Sequence, residues 1–195
     1  MADAARAVRD ENEYYNYADY RQWDTPPRYE LIDGAAYMMS SPSVEHQRMS
    51  MELSIQFGAF LRDKPCRVFA APLDLRLFPR EDLSDDTVLQ PDLMVVCDDK
   101  KLSKNSVDGP PDLVIEIISP SNTAGLLLQK FNQYLAAGVK EYWVIDPDEA
   151  FVHVHILRED RYISALYQKD AVIQVSALPG LSIDLKTLWQ TSARP

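Results

Sequence analysis

Two acidic residues stand inside apolar runs, where a carboxylate is out of place. Asp92 follows Pro91 in the segment PDLMVV, and Glu116 lies within DLVIEIIS among long aliphatic and β-branched neighbours. A buried carboxylate needs a partner, and a lone Glu in a central strand is rarely buried without one. If the charged stretch DDKKLSKNSVDGPP turns the chain back, antiparallel partners share a constant sum of residue numbers. Asp92 then falls opposite Glu116, with Lys104 at the centre of the turn. Cross-strand neighbours sit about 4.5–5.5 Å apart at Cβ, a spacing that suits one shared cation. Mg²⁺ takes oxygen ligands and commonly uses one or two carboxylates together with water and substrate phosphate. Without a cation, two buried acids that close would leave one of them protonated. Lys130, beside Phe131 on the next helical segment, can lay its stem along the core and bring its ammonium to the same sheet end.

Each residue also has a plainer reading. Asp92 follows Pro91 and could cap a turn, Glu116 could pair with Lys130 in a structural salt bridge, and Lys130 alone could be a solvated helix residue. Asp112, which follows Pro111, reads as a strand-start residue. His153 and His155 share one strand face, and Tyr142, Trp143, Phe151 and Tyr167 read as core or interface rather than as base-stacking groups. The combination of Asp92, Glu116 and Lys130 carries the chemical argument.

The elements that must position these residues follow from periodicity. Tyr17 to Trp23 reads as a short helix stopped by Pro26-Pro27. YELIDG and AAYMMS read as a hairpin around Asp33-Gly34 at the edge of the sheet. From Ser43, a plausible N-cap, Met49, Leu53, Phe57 and Phe60 recur on one helical face up to Leu61. Cys66 to Leu77 reads as one strand, residues 79–90 as a polar loop, and the stretch before DLVIEIIS as a solvated linker. Ala124 to Ala137 reads as a helix with Leu128, Phe131 and Leu135 on one face and Gly138 as its left-handed cap. EYWVID is a further strand, FVHVHIL and RYISALY a hairpin around Arg158 to Asp160, and Leu185 to Trp189 a short closing helix.

A chain of 195 residues with 46% apolar content is expected to form one domain. Residues 1–13 read as a flexible tail and 14–195 as the folded unit. No run approaches the length of a membrane helix, and the expected location is cytoplasmic. Cys66 and Cys97 lack zinc spacing and read as reduced, buried thiols. The formal charge of -10 opposes nonspecific nucleic-acid binding, although a cation held by carboxylates can reverse the local field.

PDLMVV, DLVIEIISPSN, the Lys130 to Tyr134 spacing, GVKEYWVIDP and the late LPGL resemble the Uma-two family of restriction endonuclease-like proteins, within the PD-(D/E)XK nuclease superfamily. The likeness covers residues 28–190. It implies an α/β (α+β) fold: a restriction endonuclease-like mixed β-sheet core flanked by helices, with additional antiparallel hairpins. It further implies a Mg²⁺- or Mn²⁺-dependent endonuclease acting on DNA, working as a homodimer. By position, Asp92 and Glu116 match the metal-holding acids, Lys130 matches a lysine moved from strand to helix, and His46 matches a position near the site. Two departures stand out: Ile118 occupies the place two after Glu116, and Leu126 occupies the place of an acid four before Lys130. A nuclease-fold module acting in binding or protein interaction is the competing expectation.

Overall fold

The computed structural model describes residues 13–23, 27–119 and 123–190, so all but the last residue of the expected tail lies outside it. After the one-turn helix α1 (Tyr17–Tyr20), β1 (Tyr29–Ile32) and β2 (Ala35–Met38) form the expected hairpin. Asp33 and Gly34 both take positive φ, 50° and 79°, as a two-residue turn matched to strand twist requires. The helix α2 (Val44–Leu61) starts where the sequence predicts: the Ser43 hydroxyl accepts from the His46 amide at 3.1 Å. Its buried face is Met49, Leu53, Phe57 and Leu61.

The stretch expected to be one strand from Cys66 to Leu77 is two strands in different sheets, β3 (Arg67–Ala70) and β4 (Asp74–Arg76). Pro72 lies between them and has no amide to donate to a ladder. The five-stranded sheet runs β2-β1-β5-β4-β7 and the six-stranded sheet β11-β10-β9-β8-β6-β3. Two strands emerge where the sequence suggested only loop. β5 (Val88–Leu89) pairs with both β1 and β4, and β7 (Ser106–Asp108) pairs parallel with β4 and buries Val107. The linker is therefore not wholly solvated, because its centre supplies a sheet edge.

On either side of that linker, β6 (Leu93–Val96) and β8 (Leu113–Ile117) pair antiparallel in the register read from the sequence: Leu93↔Ile115, Met94↔Val114, Val95↔Leu113. The helix α3 (Ala124–Ala137) carries the chain to β9 (Glu141–Asp146), which lies parallel to β8, and Gly138 caps it at φ 81°. β10 (Phe151–Arg158) and β11 (Arg161–Gln168) follow as a hairpin, and β12 (Val172–Gln174), β13 (Ser182–Asp184) and α4 (Lys186–Trp189) close the chain.

Strand alternation sorts the six-stranded sheet into two cores. Leu93, Val95, Leu113, Ile115 and Trp143 pack with α2, whereas Met94, Val96, Val114 and Tyr142 pack with Leu126 and Tyr134 of α3. By the same alternation, Glu116 shares the α3 face. That helix turns Leu126, Lys130 and Tyr134 to the sheet, while Leu128, expected on a common face with Phe131 and Leu135, is 60% exposed. Among the described residues, no helix is long and apolar enough to cross a membrane.

The expectation of two free thiols is corrected, since Cys66 and Cys97 form a disulfide. β3 and β6 are antiparallel neighbours with Arg67 opposite Val96, so the next pair along is Cys66 and Cys97. The sequence did not reveal that pairing, because β3 is far from β6 along the chain.

Two buried charge states produce measurable outcomes. Arg76 and Asp85 form a two-pronged pair at 2.8 and 2.6 Å with both side chains out of solvent, and breaking such a pair from one side is strongly destabilising. Asp85→Ala should lower unfolding free energy by about 3–5 kcal/mol in a urea titration; a change within noise would mean that the pair is not closed. His155 sits under Phe131, Tyr142 and Tyr162, and burial, with His153 adding repulsion, pushes its pKa down to about 4. Its neutral form is the folded form, so its contribution is complete above the unfolded-state value near 6.5 and is lost as pH falls towards 4. His155→Gln should flatten the decline of Tm between those limits.

Candidate functional site

Where β6 and β8 end, the chain leaves two acids side by side. One step beyond Leu93↔Ile115, the register sets Asp92 opposite Glu116. Asp92 is fixed from several directions. Its carbonyl accepts from the Ala71 amide at 3.1 Å, its Oδ2 accepts from the Ile117 amide at 2.7 Å, and its Oδ1 lies 3.1 Å from His46 Nε2. His46 arrives from the first turn of α2, set there by the Ser43 cap, and its other ring nitrogen, Nδ1, is buried without a hydrogen-bond partner among the described residues.

Glu116, 5% exposed, takes Lys130 Nζ at 3.1 Å on both carboxylate oxygens, and its Oε1 also accepts from the Tyr134 hydroxyl at 2.6 Å. Lys130, 3% exposed, is thus drawn further into the core than a snorkelling stem would go. A second carboxylate meets it there. Glu30, in β1 of the other sheet, lies 2.9 Å from Lys130 Nζ through Oε2 and accepts the Gln90 amide on Oε1 at 2.8 Å. One ammonium therefore ties the two sheets through Glu30, Glu116 and α3.

The electrostatics follow from this sharing. Burial alone would disfavour the Lys130 ammonium, but Glu116 and Glu30 outweigh it and hold the lysine protonated, above its ordinary range. Glu116 is pushed up to about 7, first by burial and then by Glu30 and Asp92, against the opposing pull of Lys130 and Tyr134. Glu116 rises chiefly because it is buried, with two further carboxylates close by, and Lys130 rises because one lysine serves two carboxylates. For His46, burial pulls downward, and the hydrogen bond and charge of Asp92 overrule it, so its pKa lies above the usual value.

Asp92, Glu116, Lys130 and His46, the four residues singled out from the sequence, all line one cavity of about 270 Å³ together with Glu30 and Gln90. Glu30 was missed, although the reasoning applied to Glu116 fits it equally well: it is a Glu in a short strand, between Tyr29 and Leu31. Tyr134 was legible only as a spacing from Lys130. Among the described residues, no group of three or more His, Cys, Asp and Glu side chains is arranged to hold a metal ion. The site offers instead two carboxylates with hard oxygen donors, Asp92 and Glu116, in a locality where acids outnumber the buried lysine. That suits an ion such as Mg²⁺, which keeps several waters and uses few protein ligands.

Comparison with known proteins agrees with this architecture. A crystal structure of a "putative nuclease belonging to DUF820" from Anabaena variabilis ATCC 29413 superimposes with a TM-score of 0.72 at 22% identity, over 90% of this chain and 97% of that one. Two Synechocystis sp. (strain ATCC 27184 / PCC 6803 / Kazusa) proteins are similar in sequence. "Uncharacterized protein slr1290" is 29% identical over 176 residues, 88% of this chain and 90% of its own length. "Uncharacterized protein sll1609" is 27% identical over 129 residues, 65% and 70% respectively. The model of the Uma2 family, described as "Putative restriction endonuclease", matches residues 17–186, and the chain belongs to that family.

Proposed function

We propose that the protein is a metal-dependent endonuclease that hydrolyses DNA phosphodiester bonds at the cavity lined by Asp92, Glu116 and Lys130. The observation that supports this reading is the meeting of two strand-end acids and one buried ammonium in a single cavity. Asp92 and Glu116 would hold Mg²⁺ or Mn²⁺, which when bound supplies Lewis-acid polarisation of the phosphate and an acidified water. Lys130 is fixed as a cation by Glu30 and Glu116, so it is unsuited to act as a base. Its role is to stabilise negative charge that develops on the phosphoryl oxygens. His46 acts through Asp92 as a positioning residue, holding one carboxylate oxygen while the Ile117 amide holds the other. A homodimer belongs to the same reading.

A second reading has one observation in its favour: Lys130 already satisfies Glu30 and Glu116 within the protein. In that case the fold would serve as a binding module with a structural ion pair. The two readings part on metal and on cleavage.

On the nuclease reading, Mg²⁺ or Mn²⁺ raises Tm in a thermal-shift titration, by an amount equivalent to about 2.7 kcal/mol at a hundredfold excess over Kd. Asp92→Asn or Glu116→Gln should remove both the shift and the nicking of plasmid DNA. His46→Ala should weaken metal affinity by about 10–100-fold, as loss of a residue behind a ligand does. Lys130→Met should lower the cleavage rate by about 10²–10³-fold while metal still binds. A wild-type protein whose Tm ignores both ions and which leaves plasmid intact would establish the module instead.

A further inference from the structure

A second cavity, of about 710 Å³, adjoins the first and has different chemistry. Tyr17, Tyr20, Trp23 and Tyr29 wall it, together with residues of the turn that leads into β7. The rings support one another: Trp23 packs on Tyr20 at 5.6 Å and on Tyr29 at 5.4 Å between centroids. Tyr17, held under the Arg76 guanidinium at 4.2 Å, and Trp23 are partly exposed.

The charges around this cavity are arranged unevenly. Arg21, Arg28 and Lys104 line it and are exposed, and among the described residues none of them is ion-paired to a carboxylate. The carboxylates of the same wall are engaged with the protein. Asp74 accepts from Tyr20 and from Gln90, and Asp108 accepts from Ser103 and Ser106 and faces Arg76. In a chain with a formal charge of -10, a lining that carries four cations, Arg21, Arg28, Arg76 and Lys104, against the two carboxylates of Asp74 and Asp108 makes a local attachment point for a polyanion.

The two cavities share Arg28 and Gln90. The Gln90 side chain accepts from Arg28 at 3.2 Å and donates to Tyr20 and Asp74 at 2.9 Å, while its backbone amide donates to Glu30. The Arg28 guanidinium is thereby held where one cavity meets the other.

We infer that the second cavity receives unpaired nucleotides flanking the phosphodiester bound beside Asp92 and Glu116, so that the substrate class is a single-stranded polynucleotide. This rests on the phosphodiesterase reading of the first cavity. Aromatic walls reward a base whose face is open, and cations along the wall track its phosphates, the combination by which single strands are held without regard to sequence. A duplex presents its phosphates but hides its base faces, and so gains only the second contribution.

Fluorescence anisotropy in EDTA, with the full chain, separates binding from cleavage. The probes are a labelled oligothymidylate of about twelve nucleotides, its oligouridylate counterpart, a duplex of equal length and an abasic strand. The thymidylate or the uridylate should bind at least about tenfold tighter than the duplex, and which of the two leads tells a deoxy from a ribo strand. Trp23→Leu should weaken that binding about tenfold and leave the abasic strand unaffected. Because Trp23 supports its neighbours, the exposed double variant R21Q/K104Q gives an independent measure: its salt slope should shrink by about 0.7 for each cation removed. Equal affinity for duplex and single strand, an unchanged salt slope, or competition by polyglutamate as effective as by thymidylate would overturn the inference. Such a result in a protein that still nicks plasmid would leave the phosphodiesterase reading intact. Selective strand binding in a protein that never cleaves would overturn that reading and leave the groove standing.

Discussion

The structure depends on a single ammonium group placed where water is almost absent. Lys130 reaches the sheet face only because Leu126 and Tyr134 flank it on the same side of α3, and it is tolerated there only because Glu116 and Glu30 meet it. Removing Lys130 would leave two buried carboxylates without their shared cation, the costly case for an ion pair in a protein interior. The same contact joins both sheets and the crossover helix. Architecture and site are thus one electrostatic arrangement rather than a scaffold with a site added to it.

An excess of negative charge gives that arrangement its chemical character. Burial, with Glu30 and Asp92 close by, raises the proton affinity of Glu116 against the pull of Lys130 and Tyr134. The His46–Asp92 contact and the Ile117 amide keep Asp92 facing the cavity beside Glu116.

Much of this was legible in the chain because it follows from local periodicity and from a short-range pairing. The β6–β8 register could be computed from residue numbers, since a turn between adjacent strands leaves few alternatives; the Ser43 cap and the Gly138 terminus rest on side-chain and φ preferences that act within a few residues. What the sequence hid was non-local. Pro72 sends β3 and β4 to different sheets, β7 emerges from a charged linker because β4 offers it an edge, and Cys66 meets Cys97 through a ladder that no local pattern announces. Glu30 escaped for the same reason, as its partner lies one hundred residues away. On α3 apolar spacing points to the wrong face, because a polar residue with a complete set of partners, Lys130, is more deeply buried than Leu128.

Leu126 stands where the resemblance leads one to expect an acid, and here the second counter-charge for Lys130 comes from a strand in the opposite sheet. A site defined by a meeting point in space lets that duty migrate: any segment whose backbone passes the spot can supply the carboxylate, and the helix position is then released to become aliphatic. The tally of charges around the lysine can then stay the same while the linear pattern that spells them changes.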